Sequence, residues 1–162
     1  MSDYYTEHLV KQKPTVKTYA IKAALIAVTV CTFLVMFFIP FGFLIPVIMI
    51  FVDVFMFRRL DLEFEYLYVN GDLDIDKIMA KQSRKRVFST NVKDIEIMAP
   101  VGYAELKPYE RLKTIDCSSA MPNHKIYGLV ANYKGQNVMI LFEPNEIIVK
   151  GMRMLAPRKV LV

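Results

Sequence analysis

Residues 23–52 read AALIAVTVCTFLVMFFIPFGFLIPVIMIFV, thirty positions without one charged side chain. From Ala23 to Phe57 the only ionisable groups are Cys31 and Asp53. An apolar run beyond about 18 residues marks a membrane span rather than a soluble core helix. It also far exceeds the roughly 7–15 apolar residues of a secretory signal peptide. The stretch places the chain in a bilayer, and the remaining residues are read relative to that surface.

One span or two follows from length and punctuation. As one straight helix the run would cover about 52 Å at about 1.5 Å per residue, against a hydrocarbon core of about 30 Å. Tilt does not absorb that difference. Ile39-Pro40-Phe41-Gly42 and then Pro46 interrupt the run, and proline followed by glycine permits a reversal. The expected form is a helix over 18–38, a turn at 40–42 and a second helix over 43–58. Lys11, Lys13, Lys17 and Lys22 precede the run, Arg58 and Arg59 follow it, and the turn carries no base. Positive residues collect on the cytoplasmic side. The reading is therefore a two-pass protein of the plasma membrane with both termini cytoplasmic. It divides into a loose or interface-lying tail over 1–17, a transmembrane hairpin over 18–59 and a domain over 60–162.

Asp53 is the one acid in the run. A carboxylate at that depth costs a few kcal/mol and is a functional-site candidate by default. It lies five residues before Arg58, so the plain expectation is an acid that snorkels outward or meets Arg58 or a neighbouring subunit. A proton or ion relay would need partners that the helices lack.

The rest of the chain has another composition. From Leu60 onward fifteen bases face thirteen acids, so most of the net charge of +5 sits at the membrane flanks. That balance argues against nucleic-acid binding, which calls for a strongly basic face. Cys31 and Cys117 fall in different segments. No disulfide framework is expected, which suits a reducing cytoplasm.

Beyond residue 60 the pattern is mainly β. Residues 62–69 are aromatic and branched, and Asn70-Gly71 is a strong hairpin signal because both residues accept positive φ. Residues 72–76 alternate polar and apolar. Further strands are expected over 84–90, 93–99 (after a turn at Asn91), 112–119, 125–133 and 136–143. Asn145 as N-cap and Pro157 as stop bound a final helix, with Ile148, Met152 and Leu155 on one face.

Seven strands followed by one amphipathic helix resembles a pleckstrin-homology (PH)-like barrel, two bent sheets whose open corner the C-terminal helix plugs. More narrowly, the chain is similar to small two-pass membrane proteins of Gram-positive bacteria that carry a bacterial PH-like domain. The likeness rests on residues 66–78 (YLYVNGDLDIDKI), Lys85-Arg86-Val87, Ile95-Glu96-Ile97 with Pro100, and Ala156-Pro157-Arg158-Lys159-Val160. It implies a fold and a membrane setting, and it brings no activity with it.

Charge is segregated. Residues 60–76 hold six acids and no base, and 77–93 hold six bases and no acid. Either Arg84 and Arg86 pair across strands with Asp72, Asp74 and Asp76, worth about 0.2–1 kcal/mol each, or Lys81 and Lys85, with Arg158 and Lys159, grip anionic headgroups at about 1 kcal/mol per residue. PH domains that bind lipid use basic residues around a longer first hairpin loop, whereas Asn70-Gly71 is tight and flanked by acids. The loop over 101–110, with Tyr103, Leu106 and Tyr109, is a candidate contact surface or a flap folded back on the barrel.

Catalytic and metal constellations are not expected. Asp72-x-Asp74-x-Asp76 lacks the glycine and glutamate of a calcium loop, with Lys77 and Ser83 in their places. His124 follows Met121-Pro122-Asn123 as a solvated turn residue, and Ser118 and Ser119 show no base in the sequence. The expectation is a non-enzymatic, membrane-anchored interaction or scaffold module without metal or cofactor. Its partners would be the bilayer and a protein or second copy, through the hairpin or a barrel edge. The alternatives are a sensor of anionic lipid and an accessory subunit of a transport complex built on Asp53.

Overall fold

In the computed structural model the structure describes residues 5–122 and 124–162. Two compact units emerge: Lys13–Leu62, and Glu63–Val162 together with the N-terminal residues up to Gln12. The second unit starts before the helices do, and this is the main departure from the sequence reading.

The helical unit is a pair. α1 (Val16–Val35) starts at Thr15, whose side chain accepts from the Thr18 N–H, and ends in a 3-10 turn over Met36–Phe38. The reversal needs glycine at position 42, where a Cβ would lie 2.3 Å from the Met36 carbonyl oxygen. α2 (Leu44–Leu60) follows, with Pro46 in its first turn, where a missing N–H costs nothing. Helix starts and stops fall within two residues of expectation when the 3-10 turn is counted with α1. Val16–Phe38 is long and apolar enough to cross a membrane, whereas α2, at 17 residues, measures about 25 Å.

The β unit holds eight strands among the described residues, in two four-stranded sheets. The first runs β1-β2-β3-β4 and the second β5-β7-β8-β6. β1 (Tyr5–Lys11) corrects the expected loose tail over 1–17. It pairs antiparallel with β2 (Leu62–Val69) along its whole length, from Tyr5 opposite Val69 to Lys11 opposite Glu63. Alternation in Thr6-Glu7-His8-Leu9-Val10 is irregular, which hid the strand; the β2 face it covers supplies the reason it forms. Residues 1–4 of that expected tail lie outside the described residues. The pair β1–β2 also shows that the helix pair is an insertion in the first connection of the sheet. Asn70-Gly71 is the second connection, with φ of 47° and 105°, and it joins β2 to β3 (Asp72–Met79).

β4 (Ser83–Asn91) lies antiparallel to β3, with Val87 as an extra residue where the register shifts between Ile75 and Asp76. A 3-10 turn over Val92–Asp94 replaces the start of the expected next strand, and β5 (Ile95–Pro100) follows. β6 (Lys113–Asp116) is shorter than expected and runs parallel to β8 (Gln136–Phe142), beyond β7 (Tyr127–Tyr133).

The inner faces meet in one core: Tyr66, Tyr68, Leu73, Ile75 and Phe88 from the first sheet, Met98, Leu129, Ile140 and Phe142 from the second. α3 (Glu146–Leu155) closes it, capped by Asn145, whose side chain accepts from the Ile148 N–H. Ile148 and Met152 are fully buried, but Leu155 is 54% exposed, against the expected face. Gly151 takes its place because the Tyr68 ring lies where a Cβ would go, at 2.6 Å.

Candidate functional site

Direction along the first sheet organises the surface. β1 ends, β2 begins, β3 ends and β4 begins at one end of it, where Lys11, Leu62, Met79 and Ser83 lie. The chain departs for and returns from the helix pair there, so this is the foot of the sheet. At the far end Asn145 Nδ2 donates to Thr6 Oγ1 at 3.1 Å. Leu155 there reaches to within 2.8 Å of a Cβ placed on Gly71. α3 therefore caps the end opposite the foot.

On the outer face of this sheet the cross-strand alternative holds for the arginines. Arg86 reaches Asp74 at 2.6 Å and Asp76 at 2.8 Å. Ser89 donates to Asp74, and Asn91 donates to Asp72, each at 2.6 Å. The three aspartates are thus occupied by neighbours on β4. Arg84 differs from expectation: it reaches across β3 to Glu65 on β2 at 2.9 Å. These pairs are largely solvated, and each contributes at most about 1 kcal/mol.

Lys81 sits in the tight β3–β4 turn, where Ala80 and Lys81 both have positive φ. It shares a hollow of about 500 Å³ with Arg84 and with Glu7, Glu63 and Glu65, whose carboxylates offset its charge. Lys85 is exposed opposite Lys77, and neither forms an ion pair among the described residues. Arg158 and Lys159 are not with them. Lys159 Nζ donates to the carbonyls of Lys93 and Ile95 at 2.7 and 2.8 Å, beyond the far end of β4. The expected four-residue basic surface is therefore corrected to two separate places, with the Lys159 ammonium engaged by backbone.

The 101–110 loop folds back. Its 3-10 turn (Ala104–Tyr109) buries Leu106, 5% exposed, against Ala99 and Val130. Gly128 makes room: a Cβ there would lie 2.9 Å from Leu106 Cδ1. Tyr109 is half-buried beside it, and of these three candidate contact residues only Tyr103 stays exposed. Leu106 as a contact residue is withdrawn, because the apolar outer face of the second sheet claims it.

Asp53 neither snorkels nor meets Arg58. It is 9% exposed and accepts from Thr29 Oγ1 at 2.6 Å across the helix pair, while its Oδ1 has no hydrogen-bond partner among the described residues. Thr29 carried no signal in the sequence beyond being a hydroxyl in an apolar run.

Sequence reasoning also missed one constellation. Glu143 Oε1 accepts from Ser119 N–H at 2.8 Å and Ser119 Oγ at 2.6 Å, and Oε2 lies 2.7 Å from His124 Nδ1. A serine, an acid and a histidine thus meet, so the absence of a base near Ser119 is corrected. The arrangement is not a nucleophilic relay. Ser119 is 1% exposed and donates to the carboxylate, and both serine and acid face the same ring nitrogen, whereas a relay uses the two nitrogens in turn. It staples the loop after β6 to the end of β8. Asn123 of the expected turn lies outside the described residues. Behind the staple, Tyr66 OH donates to the Cys117 carbonyl at 2.7 Å and accepts from Glu143 N–H. Burial pushes the Tyr66 hydroxyl up and the Cys117 thiol up to about 12. The thiol is therefore inert.

A last surface had no sequence signal. Between α3 and the start of β7 runs a groove of about 680 Å³ with Tyr127 and Val149 in its floor and Lys125, Lys150 and Arg153 on its rim.

The family model described as Bacterial PH-like domain (DUF6106) matches residues 2–162, so it runs through the helix pair as well as the β unit. Two sheets closed by a C-terminal helix are the mainly-β, PH-like architecture that this match implies. No curated protein and no solved structure matches the chain.

Proposed function

The chain belongs to the bacterial PH-like domain family, and on that premise we propose that it is a membrane-anchored interaction module. The helix pair crosses the bilayer twice and holds the β unit at the cytoplasmic face.

One observation carries this reading: the helices interrupt a sheet between two neighbouring, paired strands. β1 and β2 lie side by side, with Lys11 opposite Glu63, so they occupy the same side of any membrane. A membrane-crossing chain between them would cross an even number of times, which supports two passes over one. The helices' surfaces support insertion over a peripheral position. Thr29, Pro46 and Asp53 are their only buried residues, while Phe37, Phe38 and Phe51 are 72–86% exposed. Helices apolar all round need hydrocarbon or a large core around them. α2 is a few ångström shorter than the hydrocarbon core, a mismatch that local thinning and snorkelling of Arg58 and Arg59 absorb. The bases at both outer ends support a β unit on the inside.

Labelling of single-cysteine variants in intact cells with a membrane-impermeant maleimide tests it. Phe41→Cys in the turn is expected to react from outside, and Lys134→Cys only after permeabilisation. Extraction of the protein by alkaline carbonate, or reaction of Lys134→Cys from outside, refutes the reading.

A second reading has one observation in its favour. Lys77 and Lys85 stand at the foot of the sheet, where a polybasic site gains about 1 kcal/mol per residue from anionic headgroups. In nanodiscs, hydrogen-exchange protection of residues 80–86 that rises with anionic lipid and falls with salt would establish it.

A further inference from the structure

We propose that the groove between α3 and β7 is the docking site for an acidic, partly apolar peptide segment of a partner protein. This inference names the partner chemistry of the interaction module and rests on the anchored reading for its choice of protein over lipid.

The groove has what such a segment requires. Its floor is apolar, with Tyr127 3% and Val149 8% exposed. Its rim carries three bases and one acidic side chain, Glu146. Lys125 Nζ stands 5.3 Å from the centre of the Tyr127 ring. Arg153 is exposed, and neither it nor Lys125 has a carboxylate partner among the described residues. Lys150 meets Glu146 at 3.4 Å with both side chains at least 73% exposed, a contact worth little in water. Two uncompensated cations over an apolar floor select an anionic ligand with an apolar side chain.

Position decides between a headgroup and a protein. α3 crosses the end of the first sheet opposite the foot, as the Asn145–Thr6 bond and the packing of Leu155 at Gly71 show. From Thr6 to Lys11 and from Tyr68 to Leu62 the strands span roughly 17–20 Å at about 3.3 Å per residue. The groove is thus about two Debye lengths from the foot, one Debye length being about 8 Å at physiological salt. Charges at the foot are screened from Lys125 and Arg153 over that distance, which favours a protein segment as the occupant.

Strand addition is not the mode. Along the β5 edge, Met98 N–H donates to the Lys159 carbonyl at 2.7 Å and Leu161 N–H to the Met98 carbonyl at 2.8 Å. The chain's own end therefore covers that edge, and the partner is held by side-chain charge and apolar contact.

The test is a titration of the full chain in mild detergent, where binding does not depend on topology. The probe is a short fluorescein-labelled peptide of alternating Glu and Leu, compared with its Lys-and-Leu counterpart. Anisotropy is expected to rise for the acidic peptide alone and to weaken with salt. Lys125→Glu and Arg153→Glu, both at exposed or rim positions, are each expected to weaken it about tenfold, and Lys85→Glu to leave it unchanged. Near-UV circular dichroism checks that each variant keeps its fold. No binding of the acidic peptide, equal binding of the basic one, or a loss that follows Lys85→Glu instead overturns the proposal. The maleimide labelling above fails or succeeds independently, so a wrong anchor and a wrong groove are told apart.

Discussion

If the helix pair is an insertion between paired strands, it can be removed without unfolding the sheet. Gln12 and Leu62 stand one step beyond Lys11 and Glu63 in the same register. Replacing residues 13–61 by Asn-Gly therefore closes an ordinary two-residue hairpin between β1 and β2. The excised chain is expected to be soluble and to unfold cooperatively. The contrasting chain, residues 62–162, keeps every later element but lacks β1. That loss uncovers Phe64, Tyr66 and Tyr68, now 4% exposed or less, and removes Val10, which is 7% exposed. Burying Val10 contributes about 2 kcal/mol. The Thr6–Asn145 bond adds about 1 kcal/mol and the His8–Tyr66 ring contact, centroids 5.9 Å apart, about 0.5–1.5 kcal/mol. Together these make roughly 4 kcal/mol, against about 5–15 kcal/mol for a whole domain. Urea titration and thermal melts followed by near-UV circular dichroism measure the difference. The 62–162 chain should melt roughly 15–30 °C lower than the excised chain, or self-associate through the open β2 edge. Equal stability of the two, or an excised chain that stays in the membrane fraction, would refute the insertion.

Gly151→Ala should cost about 1–3 kcal/mol in the same melts, since the Tyr68 ring at 2.6 Å is itself fully buried and cannot retreat. Glu143→Ala leaves the buried Ser119 N–H and hydroxyl without their acceptor and should cost about 2–3 kcal/mol, read by urea titration. Thr29→Val should weaken the helix pair by about 0.6 kcal/mol, read as earlier loss of helix in SDS titration of the detergent-solubilised chain. Alkaline stability should report Cys117. Its folded thiol, raised to about 12 by burial, stays protonated after the unfolded thiol ionises near about 8.5. The unfolded state then binds fewer protons, so stability holds below that pH and falls by about 1.4 kcal/mol per unit above it until the folded thiol ionises. Tyr66, shifted in the same direction, steepens the fall from about pH 10; Cys117→Ala should remove the earlier part of the slope.

Period and punctuation made much of this protein legible. An uncharged run broken by Pro40 and Gly42 determined two apolar helices and a reversal, because such side chains cannot face water and the chain must turn there. Asn70-Gly71, the alternation after it and the Asn145 cap determined a hairpin and a closing helix for equally local reasons. Residues 5–11 were different: a half-polar stretch becomes a strand only because the β2 edge beside it offers backbone partners. That pairing, across the chain between residues 11 and 62, turned a tail into part of the sheet and the helices into an insertion. The site residues divided in the same way. Which charges exist was plain, but Arg84 chose Glu65 two strands away, Lys159 turned to backbone carbonyls, and Asp53 found Thr29. Lys125 and Arg153, far apart in sequence and unmarked by any motif, share a groove only because α3 packs across the end of the barrel. Local conformation follows from neighbouring residues, whereas the company a side chain keeps depends on which surfaces the folded chain buries together.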